Sequence, residues 1–376
     1  MKSIQMVNLV SQYEKIQTEV DQKILEVVRS SQYINGPEVK SFSEELSRFL
    51  GVKHVIPCAN GTDALQIAMM ALGLKPGDEV ITASFTYIAT VEVIGLLGLV
   101  PVLVEVDSET FNLDVNAFEA AITEKTKAVV PVHLYGQCAN MEEILRVAKK
   151  HDLKVIEDAA QAIDATYTFS NGDAVKAGCM GDVGTTSFFP SKNLGCYGDG
   201  GAVFTNNDEL AISIRQIANH GQTVRYHHEN IGVNSRLDSL QAAVLRIKLG
   251  HLKEYTEARQ FAAAYYDEAF KNETGLLTPK RDAKSSHVFH QYTIKTNGID
   301  RNEMQNFLAS KNVPSMIYYP IPVHKQKAYM DERYDAVDFS STDALCENVI
   351  SLPMQTELSE IQLEYIVSKV KEFLNK

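Results

Sequence analysis

Cysteine is scarce in this sequence, and tryptophan is absent. The five cysteines lie far apart in the 376 residues and form neither a CxxC pair nor a metal-ligand spacing; they are Cys58, Cys138, Cys179, Cys196 and Cys346. These spacings exclude a disulfide scaffold and a zinc-binding module. We expect reduced thiols and no metal site.

Positive charge is also in short supply. Lys and Arg number 36 against 48 Asp and Glu, which gives a formal net charge of -12 at pH 7. A nucleic-acid-binding protein needs net or clustered positive charge to replace the counterions of the phosphate backbone. The composition therefore argues against a nucleic-acid partner, and any anionic substrate must be bound by a local pocket.

No long hydrophobic run is present. Residues 1–13 contain no apolar segment of the signal-peptide type, and the longest nearly uncharged apolar stretch, residues 93–104, is too short to cross a bilayer. We therefore expect a cytoplasmic protein without a membrane partner.

Residues 52–206 do show a strong pattern, in which β-branched runs alternate with helical segments. The strand-like runs are VKHVIPC, DEVITAS, VPVLVEV, KAVVPVH, LKVIEDA and GAVFTN. Helical patterns fit between them at residues 62–74, 88–98, 115–122 and 141–151. This alternation predicts a mostly parallel sheet covered by helices.

The C-terminal part predicts a second, smaller unit. A helical pattern runs over residues 237–271 with Gly250 as its only expected bend. Strands are expected at 288–295 and 316–319, and helices at 301–311 and 359–374. We place the boundary near Gly250, with a large domain over residues 1–250 that begins with a helical segment, and a small α/β domain over residues 251–376. Residues 167–178 predict a surface hairpin.

The first candidate site is the turn Asn60-Gly61-Thr62-Asp63, which follows a predicted strand and leads into a helix. The free N–H groups and the positive dipole end of such a helix bind anions, and a cofactor phosphate would fit there. Thr62 or Asp63 could instead be only an N-cap.

The second candidate is Asp158, which ends a predicted strand and precedes a small-residue turn. A carboxylate at this point could keep a ring nitrogen protonated, because an opposite charge close by favours the charged form. The alternative is again an N-cap role.

The third candidate is Lys192, which lies in a tight turn lined by glycines. A lysine that forms an imine needs a neutral amine and is therefore expected in a desolvated turn; most lysines are merely solvated. A phosphate turn, a strand-end acid and a lysine about 30 residues later occur here in that order. Together they indicate a pyridoxal-phosphate enzyme of fold type I, the aspartate aminotransferase-like fold.

Other cofactor motifs are missing from the sequence. It contains no GxGxxG after a strand, no Walker loop and no HExxH helix. His227 and His228 with Glu229 could bind a metal, but adjacent side chains usually diverge, and a solvated loop is the favoured interpretation.

Eight stretches resemble the DegT/DnrJ/EryC1/StrS family of sugar-nucleotide aminotransferases over essentially the whole chain. They are NGTDAL from Asn60, FTYIAT from Phe85, PVHLYGQ from Pro131, EDAAQ from Glu157, SFFPSKNLG from Ser187, GDGGAV from Gly198, GVNSRLDSLQAA from Gly232 and YPIPVHKQKAY from Tyr319. Family members that are dehydratases replace the imine lysine by histidine or carry a cysteine cluster. This sequence keeps Lys192 and has no such cluster, so the resemblance implies transamination.

The resemblance also implies roles for single residues. Lys192 is the expected imine lysine and proton carrier, and Asp158 the partner of the pyridine nitrogen. Gln161 is expected to hydrogen-bond the ring hydroxyl, and Tyr87 to stack on the ring unless it is an ordinary core aromatic. The residues expected to hold the phosphate are Gly61, Thr62, Asp63 and Ser187.

Asn234 matches the family position that reaches the phosphate from the other subunit, so the resemblance implies a homodimer with a shared active site; a turn role is the alternative. Arg236 is a candidate carboxylate clamp, or it forms a salt bridge with Asp238 or another acid. Further substrate-binding candidates are Arg225, Tyr226, His227, Tyr318, Tyr319 and His324.

The implied reaction is ping-pong. L-glutamate leaves as 2-oxoglutarate, pyridoxal phosphate passes through pyridoxamine phosphate, and a nucleotide-linked keto sugar receives the amine. The branch most resembled acts on UDP-2-acetamido-2-deoxy-3-oxo-glucuronate for surface polysaccharides. Enzymes for dTDP- or UDP-linked 3-keto or 4-keto 6-deoxyhexoses, a pyridoxal lyase or decarboxylase, and a catalytically silent regulatory relative are the alternatives.

Overall fold

The computed structural model describes residues 3–376 of the chain. Its α-helices are α1 Leu9–Ser30, α2 Pro37–Leu50, α3 Gly61–Ala71, α4 Ala89–Leu96, α5 Val115–Ala120, α6 Met141–Lys150, α7 Asp208–Ala218, α8 Ser239–Phe270, α9 Arg301–Ser310, α10 Ser340–Asn348 and α11 Glu360–Leu374. Its strands are β1 His54–Cys58, β2 Glu79–Ala83, β3 Val100–Val104, β4 Thr126–Val130, β5 Lys154–Asp158, β6 Thr166–Thr168, β7 Ala174–Lys176, β8 Val183–Ser187, β9 Gly201–Thr205, β10 Gln222–Val224, β11 His227–His228, β12 Leu276–Leu277, β13 Tyr292–Thr296 and β14 Val349–Leu352.

A seven-stranded sheet in the order β1-β9-β8-β5-β4-β2-β3 forms the centre of the larger unit. Strands β8, β5, β4, β2 and β3 are parallel, and β9 runs antiparallel to both of its neighbours. This confirms the predicted mostly parallel sheet and its fold class. The carboxyl ends of the parallel strands therefore meet at one edge, where ligands bind in sheets of this kind.

Both faces of this sheet are buried, as continuous apolar strands require. Alternate residues of one strand enter different cores: Val129 packs with Ile144 of α6 on one face, whereas Ala128 and Val130 pack with Ile67 of α3 on the other. The period of two in a strand explains this division.

The long helix predicted at 237–271 is confirmed as α8, which continues through Gly250 without interruption. A Cβ at Gly250 would have no atom within 4 Å, so this glycine marks no close contact. Leu252 of α8 packs in a core with α2, and Ala262 packs in the core of the C-terminal sheet. The domain boundary near Gly250 stays a proposal.

For the C-terminal unit, one expected strand is confirmed with a later start and another is wrong. The strand predicted at 288–295 begins at Tyr292, because the segment before it bonds to another loop through Val288 N–H and the Gly136 carbonyl. The strand predicted at 316–319 does not form: only Met316 bridges to Ser351, and the third strand of this sheet is β14. The hairpin at 167–178 is present as β6 and β7.

No helix within residues 3–376 is both long enough and apolar enough to span a bilayer.

Candidate active site

A cavity of about 860 Å³ opens at the carboxyl ends of the parallel strands. Ten of the sequence-predicted residues line it, and they come from both units of the chain: Gly61, Thr62, Asp63, Tyr87, Asp158, Gln161, Ser187, Lys192, Tyr318 and Tyr319. The volume is in the range of small-molecule sites.

One wall of the cavity is the N-terminus of α3. Asn60 caps this helix, since its side chain accepts a hydrogen bond from Asp63 N–H at 2.8 Å. The interpretation of Thr62 or Asp63 as the N-cap is therefore wrong. The N–H groups of Gly61 and Thr62, at the first turn, have no intrahelical partner and are suited to an anion.

Asp63 has protein partners of its own. Its carboxylate accepts a hydrogen bond from Ser235 Oγ at 2.6 Å, and Ser235 Oγ in turn accepts one from Ala59 N–H at 3.0 Å. Asp63 thus fixes the chain near the predicted phosphate turn, and its place in the phosphate-holding set stays a prediction.

Gly61 is required by a close approach. A Cβ added at Gly61 would lie 2.7 Å from Ser187 Cβ, at the end of β8. Only glycine lets the start of α3 contact the end of this strand, and this contact brings Ser187 beside the free N–H groups.

Two consecutive carboxylates of β5 face opposite sides of the sheet. Glu157 is fully buried away from the cavity and accepts hydrogen bonds from His133 Nε2 at 2.9 Å and from the N–H groups of Gly178, Met180 and Gly181. Asp158 lines the cavity. Because side chains alternate along a strand, Glu157 stabilises the fold whereas Asp158 faces the candidate site.

Asp158 is held from two directions. Thr90 Oγ1 donates to its Oδ2 at 2.8 Å, and Ala160 N–H donates to its Oδ1 at 3.1 Å. Sequence reasoning missed Thr90, although it lies in the family-like stretch FTYIAT. The bonds orient the carboxylate, and the N-cap role considered for Asp158 is not what the structure shows.

Gln161 connects the two units. Its Oε1 accepts from Tyr135 N–H at 2.8 Å, and its Nε2 donates to Tyr319 Oη at 3.1 Å. The Tyr135 hydroxyl donates to the Tyr318 carbonyl. Tyr87 is 58% exposed at the cavity, with its ring centroid 6.1 Å from that of Tyr319, so it is not a core aromatic.

Lys192 lies in the turn between β8 and β9, where its N–H donates to the Phe189 carbonyl at 2.8 Å. Burial lowers the pKa of the Lys192 ammonium to about 8, and the Asp158 carboxylate opposes this effect. Near pH 8 a large fraction of the amine is neutral and nucleophilic. Lys192 itself is half-buried in this turn, at the wall of the cavity.

His290 also lines the cavity and was missed in the sequence, which carries no spacing signal for it. It is 7% exposed, and its buried Nδ1 has no hydrogen-bond partner within residues 3–376. Burial, with the charges of Lys192 and Arg259, lowers the pKa of His290 well below its usual value. A neutral imidazole therefore faces the site.

The remaining candidates lie outside this cavity. Asn234 is exposed, and Arg236 donates to Asn234 Oδ1 and, at 2.9 Å, to Asn219 Oδ1. Within the described part of the chain Arg236 pairs with no acid, Asp238 included, so a salt bridge does not explain it. Arg225, Tyr226 and His227 lie on the β10–β11 hairpin, where Tyr226 is 77% exposed.

His324 is placed apart from the cavity as well. Its Nδ1 contacts Ser84 Oγ at 2.8 Å, its Nε2 lies 3.4 Å from Asp343, and its ring stacks on Phe339 with centroids 4.0 Å apart. Within one chain His324 therefore lies outside the cavity of Lys192, and its substrate-binding role stays a prediction. Over residues 3–376, no group of three or more His, Cys, Asp and Glu side chains could hold a metal ion.

Known proteins are similar to this chain over nearly its whole length. The sequence profile of the DegT/DnrJ/EryC1/StrS aminotransferase family matches residues 14–371. A UDP-2-acetamido-2-deoxy-3-oxo-D-glucuronate aminotransferase of Pseudomonas aeruginosa is 48% identical over 96% of this chain and 98% of its own length. A pleiotropic regulatory protein of Geobacillus stearothermophilus is 46% identical over 99% and 98%.

Solved structures share the fold. The crystal structure of NtdA from Bacillus subtilis, with the bound cofactor pyridoxamine phosphate, superimposes with a TM-score of 0.89 at 30% identity, covering 99% of this chain and 83% of that one.

Proposed function

Since the chain belongs to the DegT/DnrJ/EryC1/StrS aminotransferase family, we propose that it transfers the amino group of L-glutamate to the keto carbon of a nucleotide-linked sugar, with pyridoxal phosphate as cofactor. One observation carries this proposal. A single cavity combines an amine with a lowered pKa, Lys192, an oriented carboxylate, Asp158, and the free N-terminus of α3.

The residues present fit this cofactor. Pyridoxal phosphate, when bound, supplies a reactive aldehyde carbon and a ring that accepts an electron pair. The N–H groups of Gly61 and Thr62, together with Ser187, are suited to its phosphate, since Gly61 permits their close approach. Asp158 would hold the ring nitrogen protonated, because Thr90 and Ala160 keep its carboxylate in place.

Lys192 carries the proton in this proposal. Its neutral amine removes the proton from the α-carbon of glutamate and later returns one to the sugar carbon that receives the nitrogen. Burial supports this role, because it lowers the pKa of Lys192 to about 8, where both the neutral amine that accepts a proton and the ammonium that returns one are populated. One lysine thus serves both halves of a ping-pong reaction.

Thr90→Val is expected to lower kcat about tenfold, because a buried charged oxygen loses one hydrogen bond. The variant keeps the shape of the side chain and leaves Asp158 Oδ2 without its 2.8 Å partner. Steady-state kinetics with glutamate measure the effect. Thr82→Val, which removes a comparable bond to the Val130 carbonyl, is the control and should change thermal stability without changing kcat. Equal kcat values for the two variants would rule out a special role for Thr90.

The substrate proposed first is UDP-2-acetamido-2-deoxy-3-oxo-glucuronate, which would be aminated at C3 in the cytoplasm for a surface polysaccharide. The 48% identical relative supports it. A dTDP- or UDP-linked 3-keto or 4-keto 6-deoxyhexose is the second candidate. Only a few side chains would contact the sugar carboxylate, so only a few residues would distinguish the two substrates. A purely regulatory role, suggested by the name of the 46% identical relative, would not require Lys192, Asp158 and Gln161 to meet in one cavity.

The active site is proposed to be shared between two copies of the chain. Among residues 3–376, the acidic side chains that line the cavity are Asp63, Glu92, Asp158 and Asp199, and Lys192 is the one lysine or arginine there. A phosphate, glutamate carboxylates and a pyrophosphate need more positive charge than this. The exposed β10–β11 hairpin and the segment after it, with Arg225, Asn234 and Arg236, could supply it from a second copy.

Mixing two inactive variants tests this sharing. Lys192→Ala and Asn234→Ala protomers should regain about one quarter of wild-type activity after random exchange, because half of the dimers are hybrid and each has one intact site. Mixing Lys192→Ala with Asp158→Asn is the matched control. Both residues line the same cavity of one chain, so no site is restored. Absence of rescue in hybrids that are shown to form would contradict the shared site.

The substrate proposal is tested in the reverse direction. UDP- and dTDP-linked amino sugars are supplied with 2-oxoglutarate, and glutamate formation is measured. We expect the highest kcat/KM for the UDP-linked 3-amino-glucuronate, and a larger loss in Arg236→Ala for this sugar than for its 6-deoxy counterparts. Preference for a dTDP-linked 6-deoxy sugar would favour the second candidate.

A further inference from the structure

Lys248 of α8 is a buried lysine that the proposed reaction does not use. Its side chain is 1% exposed, and its Nζ donates to the Gly195 carbonyl at 2.6 Å. The same Nζ lies 5.2 Å from the centroid of the Tyr197 ring. Within residues 3–376 it forms no ion pair with a carboxylate, and burial lowers the pKa of Lys248 to about 8. A buried ammonium is costly unless its hydrogen bonds are satisfied, so its bond to Gly195 is a strong constraint.

Gly195 belongs to the turn that carries Lys192. A Cβ at Gly195 would collide with the carbonyl oxygens of Phe189 and Pro190, so the turn folds back on the residues that precede Lys192. Lys192 N–H and Cys196 N–H donate, both at 2.8 Å, to the carbonyls of Phe189 and Phe188. The position of the Gly195 carbonyl is therefore coupled to that of the Lys192 backbone.

A second side chain of α8 holds the same turn. Gln241 accepts from Tyr197 N–H at 2.8 Å and donates to the Tyr197 carbonyl at 3.2 Å. Gln241 and Lys248 are seven residues apart and hence lie on one face of the helix. This face holds the turn at Gly195 and at Tyr197, both C-terminal to Lys192.

We propose that Lys248 is a positioning residue, which fixes the Lys192 amine for covalent attachment of the cofactor through its hydrogen bond to the Gly195 carbonyl. This inference rests on the proposed function, because it assumes that Lys192 reacts with pyridoxal phosphate. Lys248 thus acts on covalent attachment, whereas the phosphate and ring are bound by other residues, namely Gly61, Thr62, Ser187 and Asp158.

The test compares Lys248→Met, which keeps the apolar stem and cannot donate, with the wild type. Pyridoxal phosphate and pyridoxamine phosphate are titrated separately, and covalent attachment is trapped with borohydride and mapped by mass spectrometry. Affinity for pyridoxal phosphate and the attachment rate should fall about tenfold, the scale of one lost hydrogen bond to a charged group. Pyridoxamine phosphate binds without a covalent bond to Lys192, so its affinity should stay within about twofold of the wild-type value.

Lys253→Met is the matched control, because Lys253 lies on the same helix with its side chain 84% exposed; it should behave as the wild type. Equal losses for both cofactor forms, or no loss in Lys248→Met, would overturn the proposal. If Lys248→Met does not fold, Lys248→Gln replaces it; failure of both to fold would show that Lys248 stabilises the whole chain instead. If borohydride does not trap pyridoxal phosphate at Lys192 of the wild type, the proposed function itself is refuted.

Discussion

Lys192→Ala is expected to lower amino transfer by at least about 10⁴-fold, since one residue is both nucleophile and proton carrier. The variant should also lose the visible absorbance of covalently attached pyridoxal phosphate. Binding of pyridoxamine phosphate should persist, because the N-terminus of α3, Ser187 and Asp158 are unchanged. Absorbance spectra and single-turnover kinetics with glutamate measure these effects.

The control for this variant is Lys154→Ala, which removes an exposed lysine from the start of β5 and should leave spectrum and rate unchanged. Small external amines should partly restore proton transfer in Lys192→Ala, because the cavity of about 860 Å³ can admit them. A variant that keeps a borohydride-trappable cofactor linkage would place the reactive amine elsewhere.

Asp158→Asn is expected to lower kcat by roughly 10³-fold, the scale of losing one preorganised electrostatic partner. An amide keeps the size of the side chain but cannot hold a ring nitrogen protonated by opposite charge. Covalent attachment at Lys192 should survive, so the absorbance of the attached cofactor should be kept although kcat falls. Kinetics of the glutamate half-reaction, followed by absorbance, measure the loss.

Glu157→Gln provides the contrast for Asp158→Asn. Glu157 is the preceding residue of β5 but faces away from the cavity and binds three backbone N–H groups. Its variant should lower the melting temperature and leave cofactor attachment intact. If Glu157→Gln lowered kcat as much as Asp158→Asn, the division of roles between the two acids would be wrong.

Much of the larger unit was predictable because its signals are local. The strand runs and the helical patterns between them follow from periodicity, and the order of Thr62, Asp158 and Lys192 placed three candidate residues at one sheet edge. The structure brings these three residues to one cavity. Their roles toward a phosphate, a ring nitrogen and an aldehyde remain predictions.

Residues that act through tertiary contacts could not be predicted. Thr90 reaches Asp158 across 68 positions of sequence, and Lys248 reaches Gly195 across 53. His290 enters the cavity from the C-terminal unit without a motif of its own. A polar side chain in a helix or loop carries no sequence signal for the partner that folding brings to it.

The errors have physical causes as well. The run at 316–319 has strand-like composition, but the Tyr135 hydroxyl donates to the Tyr318 carbonyl, which is then not paired with a neighbouring strand. His324 lies in a family-like stretch that gives no sign of its contacts with Ser84, Asp343 and Phe339, and its proposed role toward the substrate stays a prediction. Local pattern predicts neither contact.

Transfer of an isotopically labelled amino nitrogen tests the central claim most directly. The UDP-linked 3-amino-glucuronate labelled at its 3-amino group is incubated with the enzyme, pyridoxal phosphate and unlabelled 2-oxoglutarate. We predict labelled glutamate with the wild type and none with Lys192→Ala. Release of the label as free ammonia, or labelled glutamate formed equally by Lys192→Ala, would contradict an aminotransferase that works through Lys192.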